Sequence, residues 1–311
     1  MPHERSLAMT APDAQTIVAA FDIGSNSIKM TVASVARNGV ISDLFSAMKT
    51  VRLGEGIDQT KQLAADRIEA AMAALTEMTD RASQAGATRL IGVATEAVRF
   101  ATNGQEFLDR VERDTGIETV AITGDEEAEL GYTGVLADTG LRGEIAMADI
   151  GGASTEIVLG SDAGRRWSQS FPVGSGRFTD SYVSNDPPTA AELDRCRDAA
   201  IAAFAAVPFA TAKHAHLVLA GGTGEYLGRL IDDTQRITQG EIERVLDLLT
   251  TLTADQLAQR VEIPPIRARV LPAGIAIAAA IAKQLDPAHI SSTRSGLRTG
   301  LLLRAAQESA K

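Results

Sequence analysis

The chain has 311 residues, a formal net charge of −10 and an ordinary apolar share of 45%. That is enough for two domains with separate cores, and the negative balance argues against broad binding to nucleic acid or a membrane surface. The single cysteine, Cys196, excludes an internal disulfide and fits a reducing cytoplasm.

Residues 1–15 are polar and lack the apolar core of a signal peptide, so an irregular terminus is expected there, with Met9 an alternative start. Strand-like runs follow at 16–22, 28–36 and 46–53, joined by the short turns "ARNG" and "SD" into an antiparallel meander. A helix is predicted from Lys61 to Gln84, with Thr60 as its N-cap and Gly86 as its stop. Strand "RLIGVAT", helix "NGQEFLDRVERDTG", strand "ETVAI" and helix "GDEEAELGYTGVLADTG" complete a βββαβαβα order. A doubly wound dinucleotide fold would open βαβ instead.

The second half opens in the same way. Strands are expected near 143–149, 155–161 and 166–173, then helices near 174–184 and 189–206. Strand "HLVLAG" leads to helix "TGEYLGRLI", helices near 239–250, 254–260 and 264–285, strand "HISST" and helix "LRTGLLLRAAQES". The run "AGIAIAAAIA" is too short and too Ala-rich to span a bilayer. Two halves that each begin with a meander and continue as βα units describe a duplicated ribonuclease-H-like fold, the actin-like ATPase architecture. It places one domain at 1–134 and the other at 135–311, with the last helix able to pack back on the first. Phosphates lie in the cleft of that architecture, between two facing hairpins.

The chemistry concentrates in those hairpins. "DIGSNS" (22–27) and "DIGGAS" (149–154) share Asp, Ile, Gly and a later Ser at matching offsets, 127 positions apart. The first offers Asp22, Gly24, Ser25, Asn26 and Ser27. The second offers Asp149, Gly151, Gly152, Ala153 and Ser154, with Glu156 just beyond. Glycine N–H groups and serine hydroxyls make a nest for an anion. A third turn, "AGGTGEY", starts a helix with Gly221, Gly222 and Thr223, where backbone N–H groups suit an anion. Asp149 and Glu156 suit a divalent cation that prefers oxygen ligands. The helix start "TGDEEAEL" carries Asp125, Glu126, Glu127 and Glu129; the helix dipole favours acids there, and a carboxylate at a cleft edge can take a proton from water.

Arg52, Arg99, Arg177 and Arg298 stand at predicted ends of strands or starts of helices, where a clamp for a row of phosphates would need them. Arg52 and Arg99 are expected nearest the terminal phosphates, whereas Arg165, in "DAGRRW", is expected in a surface turn. The histidines show no metal-ligand spacing, and Cys196 has no histidine close in sequence.

With these residues in view, the chain resembles the exopolyphosphatase / guanosine pentaphosphate phosphohydrolase (Ppx/GppA) family, in its short two-domain form. "VRLGEGID", "ITGDEEAEL", "SFPVGSGRFTD", "LAGGTGEYL", "LPAGIAIAAAI" and "SGLRTGLLL" echo family blocks in the family's order. The resemblance implies release of terminal phosphate from inorganic polyphosphate, pppGpp or both, with Mg²⁺. It implies Glu127 as catalytic base and Asp149 with Glu156 as the acidic pair. A homodimer is a further expectation. Ala153, Glu96 and Thr299 depart from the family's usual Gly, Ser and Glu. A non-catalytic sensor of polyphosphate or alarmones, and an actin-like sugar or acid kinase, are the alternatives.

Overall fold

The computed structural model describes residues 16–36 and 40–309. Residues 1–15, Met9 among them, and residues 37–39 of the "ARNG" turn lie outside the described residues.

The first half runs β1 (Thr16–Ile23), β2 (Ser27–Val35), β3 (Ile41–Thr50), α1 (Ile57–Thr60), α2 (Ala65–Gln84), β4 (Arg89–Ala94), α3 (Glu96–Phe100), α4 (Gly104–Thr115), β5 (Glu118–Ala121) and α5 (Gly124–Thr139). The second runs β6 (Glu144–Ile150), β7 (Thr155–Ser161), β8 (Gly164–Phe171), α6 (Ser175–Tyr182), α7 (Ala190–Ala203), β9 (His216–Ala220), α8 (Gly221–Ile231), α9 (Gln239–Leu249), α10 (Ala254–Val261), α11 (Pro265–Ala268), α12 (Leu271–Leu285), β10 (His289–Thr293) and α13 (Leu297–Ser309). The sheets are ordered β3-β2-β1-β4-β5 and β10-β9-β6-β7-β8. Taken from β8, the second order repeats the first. β1 and β6 each pair antiparallel with the next strand and parallel with a later one. The duplicated actin-like fold is therefore present.

Alternation along β1 explains the layering. Ala19, Phe21 and Ile23 face a core with Leu75 and Met78 of α2 and Val111 of α4. Val18 and Ala20 face Leu297, Leu301 and Leu302 of α13. Helix α13 follows the second sheet in sequence yet covers the first. Helix α5 packs Ala128, Tyr132 and Val135 on Ile145, Met147 and Val158 of the second sheet.

Several boundaries differ from expectation for local reasons. β3 starts earlier, and "SD" lies inside it rather than in a turn; the register with β2 shifts between Val32 and Ala33, so a bulge takes up the irregularity. Thr60 ends the short α1, and α2 begins at Ala65 after Ala64. The five-residue α3 is too short to show helical periodicity in sequence. The expected helix over 264–285 is broken into α11 and α12. The run 265–285 is long and apolar enough to cross a membrane by length and composition, but most of it is buried inside the fold, as suits a core helix.

Candidate active site

The repeated hairpins face each other between the sheets. In each, the first glycine N–H bonds back across the turn, Gly24 to Ser27 O at 3.2 Å and Gly151 to Ser154 O at 2.9 Å. The tips touch: a Cβ on Gly152 would press on Asn26 Cβ, so glycine there sets how closely the halves approach. They enclose a cavity of about 80 Å³. Asp22, Gly24, Ser25, Asn26, Ser27, Glu127, Asp149, Gly151, Gly152, Ala153, Ser154, Glu156, Gly222 and Thr223 all line it, which gathers most of the expected site residues in one place. Gly221 abuts the Asp149 carboxylate. The Thr223 hydroxyl is already spent on Ile150 O at 3.2 Å.

The start of α5 gives its acids separate tasks. Thr123 and Glu126 form a reciprocal capping box, with Glu126 N–H donating to Thr123 Oγ1 at 3.1 Å and Thr123 N–H to Glu126 Oε2 at 2.8 Å. Asp125 is held by Arg165 and Ser168 of β8. Arg165 also reaches Glu129 at 2.7 Å, so it braces this helix start and does not sit in a surface turn. Glu127 is left facing the cavity, and its Oε2 is buried with no hydrogen-bond partner. Burial raises the Glu127 carboxyl well above its ordinary value, and the negative charges of Glu156 and Asp22 add to the rise.

The other carboxylates are strained in the same sense. Asp149 and Glu156 lie opposite each other across β6 and β7. Burial pushes Asp149 up. Burial pushes Glu156 up to about 7, although its Oε1 accepts from Ser170 Oγ at 2.7 Å and Ser154 Oγ at 2.9 Å. Such a concentration of buried negative charge calls for a cation. Among the described residues no three acids are spaced to hold a metal unaided. Mg²⁺ does not need three, because it commonly uses one or two carboxylates plus waters and substrate phosphates. Asp149 and Glu156, beside the Glu127 oxygen that accepts no hydrogen bond, fit that demand.

Two basic residues in the cavity were not singled out from the sequence. Lys29 pairs with Asp22 across β1 and β2, its Nζ 3.2 Å from Asp22 Oδ2. It occupies the offset that Glu156 occupies in the second hairpin, so the repeat itself carried the signal. Arg267 of α11 lies against the backbone of Gly222, where any Cβ would collide with its guanidinium. It reaches Ser27 Oγ at 3.5 Å, stacks on Tyr226 with 5.2 Å to the ring centroid, and leaves its Nε buried without a partner. Nothing in "PPIRARV" announces this.

The arginines expected as a clamp are dispersed. Arg99 lies in α3, not at a strand end. Its Nη1 donates to Ile122 O at 2.5 Å and lies 3.7 Å from Glu127 Oε2. Arg298 is half-buried against β2 and donates to Met30 O at 3.1 Å and Thr31 Oγ1 at 2.6 Å. Arg52 and Arg177 line a second, outer cavity of about 520 Å³. This cavity shares Ser25, Asn26, Gly152 and Ala153 with the inner one. Arg177 is held there by Asp58 at 3.1 Å, Glu96 at 3.0 Å and Ala153 O at 2.8 Å. Cys196 is fully buried in the second core, its thiol pushed up to about 12 by burial, far from any nucleophilic role.

Comparison with known proteins agrees with this layout. Exopolyphosphatase 1 of Mycobacterium tuberculosis (strain ATCC 25618 / H37Rv) is 28% identical over 298 residues, covering 91% of this chain and 86% of that protein. The crystal structure of the Aquifex aeolicus member of the Ppx/GppA protein family superposes with a TM-score of 0.77 at 27% identity, over 96% of this chain and all of that one. An exopolyphosphatase from Cytophaga hutchinsonii shares the fold with a TM-score of 0.84 at 21% identity, over 94% and 98% of the two chains. The model of the Ppx/GppA phosphatase family matches residues 31–309, from the second strand of the first hairpin to the end of α13, and with that span the chain belongs to this family of hydrolases.

Proposed function

We propose that the protein is a Mg²⁺-dependent phosphoanhydride hydrolase that releases the terminal phosphate of inorganic polyphosphate, of pppGpp, or of both. One observation carries the reading: Glu127 presents a buried carboxylate oxygen, without a hydrogen bond and 3.7 Å from Arg99 Nη1, to a cavity of about 80 Å³ between two glycine-rich hairpins. The cavity has room for a phosphoryl group and an attacking water between the hairpin tips, which suits removal of a terminal group. The mycobacterial relative named as an exopolyphosphatase supports polyphosphate as a substrate.

The terminal phosphoryl group lies between Gly24–Ser27 and Gly151–Ser154, with Lys29 and Arg267 as its cationic partners. Glu127 accepts a proton from the water as the water oxygen bonds to phosphorus. The bridging P–O bond breaks, and the shortened chain leaves as a phosphate anion that needs no proton from the protein. Arg99, 3.7 Å from Glu127, favours its ionised form. Asp149 and Glu156 would hold Mg²⁺, which when bound offsets the charge of the phosphate oxygens. Because Glu127 titrates well above the ordinary carboxylate range, activity rises with pH as this base ionises.

Phosphate release from medium-chain polyphosphate and from pppGpp, measured side by side, tests the reading. Glu127→Gln should lower kcat by about 10²–10⁴-fold with KM little changed. Near-normal kcat in this variant would move the base elsewhere. Full activity of the native protein in a chelator would remove the metal.

A further inference from the structure

The outer cavity has the wrong sign for a long polyanion. Its charged lining is Arg52 and Arg177 against Glu55, Asp58, Glu96 and Asp180. Neither arginine is free. Arg52 lies 3.2 Å from Glu55 and 3.8 Å from Asp180. Arg177, from the second half, donates through Nη1 to Glu96 and through Nε and Nη2 to Asp58, both from the first half. Glu96 satisfies only one oxygen in this way; its Oε2 is buried and unpartnered. A phosphate chain whose last group sits in the inner cavity passes the hairpin tips at Asn26 and Gly152 and meets this wall next. Both cavities hold two more carboxylates than cations: the inner one sets Asp22, Glu127, Asp149 and Glu156 against Lys29 and Arg267, but there Asp149 and Glu156 would hold Mg²⁺, whereas in the outer one the arginines are already paired with the wall's own acids.

We propose that Glu96 and Asp58, by neutralising Arg177 and leaving the outer cavity net acidic, determine substrate length, so that chains with only a few phosphates beyond the scissile one are used best. The proposal rests on the phosphoanhydride hydrolase reading and adds a selection to it. Each further phosphate brings negative charge against the wall, and the penalty grows until the chain reaches bulk water. Glu96→Gln keeps the acceptor for Arg177 and removes the charge. Asp58→Asn removes the charge on the other side of the guanidinium and keeps one of the two acceptor oxygens that Arg177 now uses.

The test measures kcat/KM per chain end for tripolyphosphate and for a chain of many tens of phosphates, at one fixed free Mg²⁺ concentration. The native protein should favour tripolyphosphate. Each substitution should shift the ratio toward the long chain by about tenfold, the effect of one unit charge a few ångströms away at a dielectric between that of water and a protein surface. The shift should appear mainly in KM for the long chain and shrink in high salt. A merely structural role for the Arg177 contacts would depress both substrates together and leave the ratio unmoved, which would overturn the proposal. So would a native enzyme that uses the long chain at least as well. Release from neither substrate by the native protein would fail differently, removing the hydrolase reading and the length selection with it.

Discussion

Replacing Glu156 with Gln should make the protein more stable above neutral pH while impairing it as an enzyme. The native carboxyl is pushed from 4.5 to about 7, chiefly by burial, with the charge of Asp149 adding to it. Its folded-state value is raised, so the unfolded chain ionises first as pH increases. Stability is lost between about 4.5 and 7 and stays lost above. A displacement of that size corresponds to about 3 kcal/mol. The glutamine amide would keep an acceptor for Ser154 and Ser170, which now donate to Glu156 Oε1, and would remove the charge that opposes Asp149. A gain of about 1–3 kcal/mol at pH 8 is therefore expected, and almost none at pH 4.5. At about 2–4 °C per kcal/mol, Tm should rise by a few degrees or more at the higher pH. Calorimetry in chelator across pH 4.5–8 reads this directly, with urea titration at the two ends as a check. A variant that melts at or below the native protein at pH 8, or that gains equally at both ends, would refute the charge accounting.

Asp149→Asn should raise the Mg²⁺ concentration for half-maximal activity by at least about tenfold, measured by metal titration, since Mg²⁺ holds few protein ligands and each counts. Arg99→Lys keeps a positive charge but loses the rigid guanidinium whose Nη1 donates to Ile122 O and faces Glu127; kcat should fall by about tenfold, with the pH–rate profile displaced and KM for substrate nearly constant. Arg267→Ala removes a cation from the inner cavity. At about 1.5–3 kcal/mol for a charge-assisted bond, kcat/KM should drop by roughly ten- to over a hundredfold, and an unchanged value would take Arg267 out of the phosphate site.

The halves were legible because each is announced by the same local chemistry: a strand, an Asp-Ile-Gly turn with a later Ser, and another strand. That repeat fixed the two hairpins and with them Asp22, Asp149 and Glu156. Lys29 was equally legible, since the repeat aligns it with Glu156, but a lone lysine in an apolar strand carries no motif of its own. The Thr123-to-Glu126 spacing is a capping-box signature, and it separates the structural Glu126 from the cavity-facing Glu127. The arginines were not legible. Arg99 depends on a five-residue helix with no measurable period, Arg298 on how α13 docks beneath β2, and Arg267 on a short helix between two proline-led segments. Such placements arise from tertiary packing between residues far apart in the chain.

The docking of α13 on the first sheet also bears on how the chain comes to fold. Val18, Ala20, Ile91 and Val93 form an apolar stripe that Leu297, Leu301, Leu302 and Ala305 cover. During synthesis these strands emerge long before their cover does. A nascent first half can bury Phe21 and Leu75 against its own helices but has only Ile122 and Leu130 to place on the other face of its sheet, and the part that α13 covers stays open to solvent or to a chaperone. Closing it requires contacts of high sequence separation, which slow folding and expose the chain to aggregation meanwhile. The first half thus reaches its final packing only after the second has been made, and hydrogen exchange during refolding should show β1 and β4 gaining full protection no earlier than α13.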